Sequence, residues 1–431
     1  MNRMRCTLRS AVSLPLLPCH FKSEVRLLRL LRWLPRQPKP GDAIRRILVV
    51  QPHNSLGDLV LFLPLLDEIH RLWPDSRIDL LVGRRMTSLY NEIPYINRVI
   101  GFLSYPGQGV YARYRNTLGL LQLFRHDIRD GYDLALDPRW DSDGYAYLAR
   151  AAAYLSGAAI RASYSGWVDR IDPSLDDLMT HHALGGGQEH ESVRKLRLLY
   201  RAGLSAQIPP EEAAAQANAT LVELAQFSTP SREALLQRAG IQAGERYAVL
   251  APSASSPIRI WPVEGLAEIA QILHKRYGLR FVTIGTAVEA ARSHRLAALQ
   301  PAIIHSLAGE TSLLELLSLL AGAELFLGND SGPAHVSGML GQRTVVVFSF
   351  PASSNGLDHI YSPRRFGPCG SRVRVLQPER ALAPCDPSCM QQQAHCITQV
   401  TPETVLQACV ALLSDESRSH EQLQVNAGRM A

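Results

Sequence analysis

The most chemically suggestive stretch of the sequence is Gly-Asn-Asp-Ser-Gly-Pro-Ala-His, residues 328–335, which follows an apolar segment. Pro333 suits the first turn of a helix, where its missing N–H costs nothing, and Gly332 lets a bulky ligand approach the backbone closely. The Ser331 hydroxyl can donate a hydrogen bond, and the amide N–H groups at a helix start attract an anion. The stretch therefore predicts a turn that suits a diphosphate, although Asp330 and Ser331 could instead be simple helix caps.

A second candidate site follows an early apolar segment, at the residues Asn-Ser-Leu-Gly-Asp. Ser55 and Gly57 belong to the loop, and Gly57 permits tight backbone geometry. Asp58 lies where a helix begins, and a carboxylate there can act as a general base toward a hydroxyl group. A first-turn acid also stabilises a helix through its dipole, so the residues alone leave both roles open for Asp58.

A third candidate site is the Ser-rich loop Ala-Pro-Ser-Ala-Ser-Ser-Pro-Ile-Arg-Ile-Trp-Pro, residues 251–262, which contains Ser253. Arg259 could neutralise a phosphate through its bidentate guanidinium, or it could be an ordinary surface arginine. Trp261 is expected to anchor the following helix in a core.

The elements that must position these residues alternate between strand and helix periodicity. In the first half of the chain, strands are predicted at 46–50, 77–83 and 132–137, with a helix at 59–74. Alternating strands and helices indicate a parallel sheet with helices on its faces.

The alternation of strands and helices is interrupted between about residues 160 and 245 and then resumes. Strands are predicted at 247–253 and 280–285, and helices at 263–278 and 312–323. With 431 residues, of which 46% are hydrophobic, the chain can bury more than one core. We predict an α/β protein with two doubly wound domains in tandem, whose ligands bind in the cleft between them, beyond the carboxyl ends of the strands.

The net charge of +6 is unevenly distributed along the chain. Residues 1–46 contain eleven Lys or Arg and two acids, whereas the remaining 385 residues sum to −3. This argues against a core that binds nucleic acid. No apolar run reaches the ~18 residues that a membrane span needs. In residues 21–36, leucines share one helical face among arginines, so this segment is predicted either to lie on an anionic membrane surface or to pack on its own domain.

Seven cysteines, an odd number spread over the whole chain, indicate no disulfide framework and fit a reducing compartment. Cys385, Cys389 and Cys396, with His395 adjacent and Cys369 upstream, could be a zinc site, but their spacing matches no common zinc pattern. We interpret them as structural thiols in a loop. Asp-Ser-Asp at 141–143 mimics a metal-binding motif, and we interpret it as a polar loop.

These motifs together resemble glycosyltransferase family 9, the heptosyltransferases of lipopolysaccharide core assembly. The resemblance rests on Gly-Asn-Asp-Ser-Gly-Pro-Ala-His, Asn-Ser-Leu-Gly-Asp, Trp-Pro after a Ser-rich loop, and His-Glu-Ser-Val-Arg-Lys-Leu at 190–196, which occur in the expected order. It runs from about Arg46 to Leu413. It implies a GT-B-type fold of two Rossmann-like domains that face an interdomain cleft.

The resemblance also implies an activity: transfer of a sugar from ADP-heptose to a lipopolysaccharide core or related lipid-linked glycan, with inversion at the anomeric carbon. No cofactor and no metal are expected. The implied location is the cytoplasm, peripheral on the inner face of the bacterial inner membrane. Two other hypotheses are a nucleotide-sugar epimerase or hydrolase on the same scaffold and a non-catalytic, nucleotide-binding relative.

Carried onto this sequence, the resemblance makes Asp58 the general base, with Ser55 and Gly57 in its loop. It makes Asp330, Ser331 and Gly332 the donor-binding turn, and Arg259 the cation that offsets charge on the leaving ADP. His335 and Ser253 are further donor-binding candidates. Glu289 is a candidate for a second acidic residue.

The predicted domain limits follow the same division. Residues 1–43 form a basic N-terminal extension, and residues 44–205 form the acceptor-side domain. Residues 206–243 are predicted to link it to the nucleotide-sugar-binding domain at 244–413, and a disordered tail is expected at 414–431.

Overall fold

Two parallel β-sheets organise the described part of the chain. The structure, a computed structural model, describes residues 25–26, 28–29, 43–52, 55–102, 115–116, 118–123, 127–128, 131–139, 144–165, 173–185, 189–216, 218–227, 229–354, 362–386, 389 and 391–427. The first sheet contains β1 (Arg46–Gln51), β2 (Arg77–Gly83), β3 (Ile96–Phe102), β4 (Leu134–Asp137), β5 (Ile160–Tyr164) and β6 (His181–Ala183). The second contains β7 (Tyr247–Ala251), β8 (Arg280–Thr283), β9 (Ile304–Ser306), β10 (Leu325–Asn329), β11 (Thr344–Val347) and β12 (Val373–Leu376).

The helices lie between and beside these strands. In chain order they are α1 (Leu56–Val60), α2 (Leu63–Leu72), α3 (Thr87–Tyr90), α4 (Gly144–Leu155), α5 (Glu191–Leu196), α6 (Leu198–Arg201), α7 (Ala219–Phe227), α8 (Thr229–Arg238), α9 (Val263–Tyr277), α10 (Ala290–Leu299), α11 (Leu313–Ala321), α12 (Gly332–Met339), α13 (Pro363–Phe366) and α14 (Pro402–Ala427). Short 3₁₀ turns add Pro257–Arg259, Ala287–Glu289 and Cys396–Gln399, among others.

Both sheets have the strand order of a dinucleotide-binding domain. The first runs β3-β2-β1-β4-β5-β6, and the second runs β12-β11-β10-β7-β8-β9, which is the same order read from the opposite edge. All recorded pairs are parallel; Val49 of β1, for example, pairs with Leu80 and Leu136. The predicted fold class of two doubly wound Rossmann-like domains is confirmed. The order reverses beside β1 in one sheet and beside β10 in the other, so ligand sites are expected at those two points.

The apolar strands form because both faces of a parallel sheet are covered. Ile47, Val49 and Val50 of β1 are completely buried, as are Val345 and Val346 of β11. The predicted helix at 263–278 forms as α9 and ends at Gly278, whose left-handed φ of 69° closes the helix without steric cost.

Two local predictions need correction. The helix expected at 59–74 is divided into α1 and α2, because Pro64 cannot donate to Val60 and its ring would crowd that carbonyl. The pause expected from 160 to 245 contains β5 and β6, which complete the first sheet. Strands of five and three residues carry too little periodicity to be recognised.

The linker and the tail are more regular than expected. Residues 206–243 contain α7 and α8, and Asn218 joins both domains, since its N–H bonds the Met339 carbonyl and its Nδ2 donates to Asp67. The last helix, α14, continues to Ala427, although residues 414–431 were expected to be disordered. No proline or glycine interrupts the helix-favouring residues there before Gly428.

A buried ion cluster supports the first sheet. Arg150 of α4 has no exposed surface, and its Nε lies 3.5 Å from Asp137 Oδ2 at the end of β4. Its other nitrogens donate to Asp176 and to the Tyr164 carbonyl. Burial raises the pKa of the Asp137 carboxyl, and the positive charge of Arg150 opposes that rise. Removing either partner would leave an uncompensated buried charge.

We expect Arg150→Met to lower the free energy of unfolding by about 3–5 kcal/mol, because Asp137 and Asp176 would lose the buried cation that they share. Urea denaturation measures this directly. Arg71→Met is the control, because Arg71 forms an exposed pair with Glu68 that should contribute less than about 1 kcal/mol. Equal losses in the two variants would contradict the stabilising role of the buried cluster.

Candidate active site

A cavity of about 660 Å³ lies between the two domains, at the carboxyl ends of β7, β8, β9 and β10. The second domain contributes Ser253, Arg259, Asp330, Ser331, Gly332 and His335 to its wall, and the first contributes Ser55, Leu56, Gly57 and Met86. The cavity therefore occupies the point where the strand order of the second sheet reverses. All the predicted donor-binding residues line it.

The start of α12 lies in the wall of this cavity and carries an unsatisfied hydroxyl. Ser331 is the residue before the helix, with extended backbone angles, and its side chain makes no capping hydrogen bond. Its Oγ is buried and has no hydrogen-bond partner among the described residues. A buried hydroxyl left without a partner costs about 1–3 kcal/mol. Ser331 therefore does not cap α12 through its side chain, and its role toward a donor remains a prediction.

Arg259 and Asp330 form an ion pair in the cavity wall, with Nη1 and Oδ2 3.1 Å apart. Burial raises the pKa of the Asp330 carboxyl, and the Arg259 guanidinium opposes the rise. Asp330 is thus an orienting partner for Arg259 and not a helix cap. The neighbouring Asn329 is fully buried, and its Oδ1 accepts a hydrogen bond from the Trp261 N–H at 2.9 Å. Asn329 therefore fixes the loop that carries Arg259.

Asp58 lies at the start of α1, on the first-domain side of the cavity. Ser55 Oγ donates to Asp58 Oδ2 at 2.8 Å, and the Asp58 N–H donates back to Ser55 Oγ at 3.2 Å. The helix-start role that the sequence suggested is thus present. Leu56 and Gly57 contact the cavity, whereas Asp58 is not part of its wall. The base role of Asp58 remains a prediction.

Two glycines bring α1 and α12 into direct contact. A Cβ at Gly332 would lie 2.7 Å from Leu56 Cβ, and one at Gly57 would lie 3.0 Å from the ring of His335. The sequence predicted that a ligand would approach the backbone closely at Gly332. In the structure, Leu56 of the opposite domain makes this close approach. This contact places Asp58 and Ser331 on adjoining helices at one edge of the cavity.

His335 lies beneath this contact as a buried, neutral imidazole. It is 7% exposed, and its Nδ1 has no hydrogen-bond partner among the described residues. Burial lowers the pKa of His335 to about 4, and the positive charge of nearby His190 adds to the effect. His335 is therefore uncharged near pH 7.

The remaining predicted residues have local partners. Ser253 lines the cavity, and its Oγ accepts a long hydrogen bond of 3.5 Å from Arg292. Glu289 Oε2 accepts hydrogen bonds from Thr286 N and Thr286 Oγ1, at 2.9 and 2.8 Å, so it caps a 3₁₀ turn within the cavity wall. The Asp-Ser-Asp sequence at 141–143 lies outside the described residues.

A buried charge cluster on α5 was not predicted. Glu191, Arg194 and Lys195 are each at most 3% exposed. Glu191 accepts from Arg194 at 2.8 Å and lies 3.7 Å from Lys195 Nζ. Arg365 of the second domain approaches the same carboxylate at 3.9 Å. The sequence shows that Arg194 and Lys195 follow Glu191 at spacings of three and four residues. It does not show that the second domain buries these charges.

The cluster also carries charge close to Asp58. Burial lowers the pKa of Lys195, and the carboxylates of Glu191 and Asp58 oppose that shift. His190, just before α5, donates from Nε2 to the Gly367 carbonyl at 2.9 Å, which is a second tie between the domains. The conspicuous His-Glu-Ser-Val-Arg-Lys-Leu stretch therefore joins the two domains beside the cavity.

The chain is similar to known heptosyltransferases in sequence and in fold. The sequence profile of glycosyltransferase family 9 (heptosyltransferase) matches residues 211–386. Lipopolysaccharide heptosyltransferase 3 of Escherichia coli is 24% identical over 310 residues, which are 71% of this chain and 81% of that protein. The lipopolysaccharide core heptosyltransferase of Haemophilus influenzae is 22% identical over 72% of this chain and 82% of its own length.

The chain resembles glycosyltransferase family 9, so the predicted resemblance is confirmed. Its fold agrees, since the family 9 structure from Veillonella parvula superposes with a TM-score of 0.66 at 17% identity, covering 88% of this chain and 100% of that one. E. coli ADP-heptose lipopolysaccharide heptosyltransferase II gives a TM-score of 0.61 at 20% identity, over 86% of this chain and 99% of that one. The fold therefore has the GT-B architecture. The sequence relatives support a glycosyltransferase, which favours the transferase hypothesis over the epimerase, hydrolase and non-catalytic alternatives.

The N-terminal segment of the chain is partly described. Val25 and Leu28 are buried in the core of the first domain, and Arg29 pairs with Asp177 at 3.0 Å. The leucines on which the membrane-binding hypothesis rests lie outside the described residues. Within the part of the chain that is described, none of the helices has the length and apolar character to cross a bilayer.

We expect Gly332→Ala to destabilise the protein by about 1–3 kcal/mol, because the added methyl overpacks against Leu56 Cβ. Leu56→Gly removes the opposing Cβ, so combining the two changes should recover much of that loss. Unfolding free energies of the four proteins in this cycle measure the coupling. Strictly additive effects would show that α1 and α12 do not touch at this point.

Proposed function

We propose that this protein transfers heptose from ADP-heptose to a hydroxyl of a lipopolysaccharide core or related lipid-linked glycan, with inversion and without a catalytic metal. The observation that supports it most is the unpartnered Ser331 hydroxyl at the start of α12, within a cavity between the domains. A helix start attracts anions, and Arg259 lies in the same wall. The names of the related enzymes supply the choice of ADP-heptose and lipopolysaccharide.

The diphosphate of the donor is placed against Ser331 and the N-terminus of α12. As the bond between the anomeric carbon and the diphosphate oxygen breaks, negative charge grows on the departing ADP. Arg259, held by Asp330 at 3.1 Å, offsets part of that charge. Fixed dipoles and one oriented cation act strongly in a site from which water is excluded. His335, uncharged near pH 7, can hydrogen-bond the donor without adding a second cation.

The acceptor hydroxyl approaches the anomeric carbon from the side opposite the diphosphate. Its oxygen forms the new glycosidic bond, and its proton passes to the carboxylate of Asp58. A single displacement of this kind inverts the anomeric configuration. The hydrogen bond from Ser55 Oγ orients the Asp58 carboxylate. The position of α1 against α12 supports this role, because it sets Asp58 beside the donor turn.

Two further parts of the proposal concern location. We propose a cytoplasmic enzyme that works at the inner face of the inner membrane, because a lipid-linked acceptor is anchored there. Residues 21–36 would contact the membrane surface through their arginines. Binding of the full chain to vesicles with and without anionic lipid tests this part separately, and equal binding to both would contradict it.

We expect Asp58→Asn to lower the rate of sugar transfer about 10²- to 10⁴-fold, because the base is lost, while ADP binding stays within about twofold of the wild type. Transfer assays with core-lipid acceptors and calorimetry with ADP measure the two quantities. Glu264→Gln is a matched control, since Glu264 is also a first-turn helix acid but is exposed and lies outside the cavity wall.

Wild-type transfer by Asp58→Asn would contradict the base role. A screen of ADP-, GDP- and UDP-sugars by thermal stabilisation tests the donor, and stabilisation by UDP-sugars alone would overturn ADP-heptose. The anomeric configuration of the product, read by NMR, tests inversion. A rate that rises on adding Mg²⁺ or Mn²⁺ would contradict transfer without a catalytic metal.

A further inference from the structure

Three cysteines and a histidine converge in the segment between β12 and α14. The possible ligand atoms of Cys385, Cys389, His395 and Cys396 all lie within 4.8 Å of one another. The three cysteines are buried, and His395 is half-buried. Cys369, which the sequence grouped with them, lies elsewhere and contacts His190 Nδ1 at 3.2 Å. Of the five candidate ligands that the sequence suggested, the fold therefore brings four together.

Three of the six separations within this group lie close to the edges of a zinc tetrahedron. Bonds of about 2.3 Å to sulfur and about 2.0–2.1 Å to nitrogen, at tetrahedral angles, place two sulfurs about 3.8 Å apart and a sulfur and a nitrogen about 3.6 Å apart. Cys385 Sγ and Cys389 Sγ are 4.0 Å apart. His395 Nδ1 is 3.5 Å from Cys385 Sγ and 3.6 Å from Cys396 Sγ. Disulfide formation would need about 2.05 Å between two sulfurs.

The surroundings of the sulfurs also suit thiolate ligands. The Leu382 N–H points at Cys396 Sγ from 3.5 Å, and Gln391 Nε2 approaches Cys385 Sγ at 3.9 Å. Donors of this kind orient the ligands of a metal and stabilise their negative charge. Ile258, Ala381 and Leu382 cover the group with apolar surface. Isolated structural thiols would not require a histidine nitrogen and N–H donors around them.

We propose that Cys385, Cys389, His395 and Cys396 bind a structural zinc ion. Four protein ligands close the coordination shell, which is the arrangement of structural sites and leaves no open position for catalysis. This site is separate from the donor cavity, so it is compatible with sugar transfer that uses no catalytic metal. The irregular spacing of the ligands explains why the sequence alone favoured structural thiols.

The zinc ion would stabilise the loop that carries Arg259. Ile258 packs on the cysteines, and the 3₁₀ turn Pro257–Arg259 contacts the turn Cys396–Gln399. Trp261 Nε1 donates to the Val400 carbonyl at 2.8 Å. The metal would therefore stabilise the loop at Pro257–Arg259, which forms part of the wall of the donor cavity.

Metal content of the full-length chain, purified without chelators, tests the proposal. We expect one zinc ion per chain by inductively coupled plasma mass spectrometry, and less than about a tenth of that in Cys389→Ser and Cys396→Ser. Cys409→Ser is the matched control, because Cys409 is a buried cysteine of the same domain that lies outside the group. It should retain full zinc.

A second measurement avoids variants that fail to fold. A mercurial thiol reagent added to the wild type should release zinc, seen with a chromogenic chelator, in proportion to the thiols that react. Cobalt substitution should give the visible absorption of a tetrahedral thiolate site. Wild-type protein without bound zinc, or zinc retained by both ligand variants, would overturn the site. One iron per chain in place of zinc would overturn the choice of metal.

Discussion

The contact between α1 and α12 is the constraint on which the candidate site depends. Gly57 and Gly332 remove the side chains that would otherwise separate the two helices, so that Leu56 and His335 fill the space. Each helix starts at the strand-order reversal of its own sheet. Packing the two starts together makes one cleft from the strand-order reversals of two similar folds, with a carboxylate on one side and a turn suited to an anion on the other.

Around this contact, charged side chains are paired with opposite charges, and the buried imidazole of His335 is neutral. Arg259 is oriented by Asp330, and His335 is neutral because burial holds its pKa at about 4. The cations of α5 share Glu191. Unpaired buried charge would be costly, and the polar groups at the donor turn that lack a partner among the described residues, the Ser331 hydroxyl and His335 Nδ1, are both uncharged. A hydroxyl can remain buried without a ligand at a cost of only about 1–3 kcal/mol.

The sequence predicted the fold well wherever strands were apolar and continuous, as in β1 and β7, and it found several of the residues that line the cavity. Short strands such as β5 and β6 were missed, because three to five residues carry little periodic signal. The partner of Gly332 could not be predicted, since Leu56 comes from another domain. For the same reason, the burial of Glu191 and the convergence of the cysteines depend on tertiary contacts that residue spacing does not reveal.

Hydrogen–deuterium exchange of the full-length chain, with and without ADP, tests the central claim most directly. If the diphosphate binds at the start of α12, the amides of residues 331–336 should exchange at least tenfold more slowly with ADP bound. Peptides from the loop at 253–259 should be protected together with them. Protection confined to other parts of the chain, with residues 331–336 unchanged at saturating ADP, would contradict the assignment of this turn to the donor.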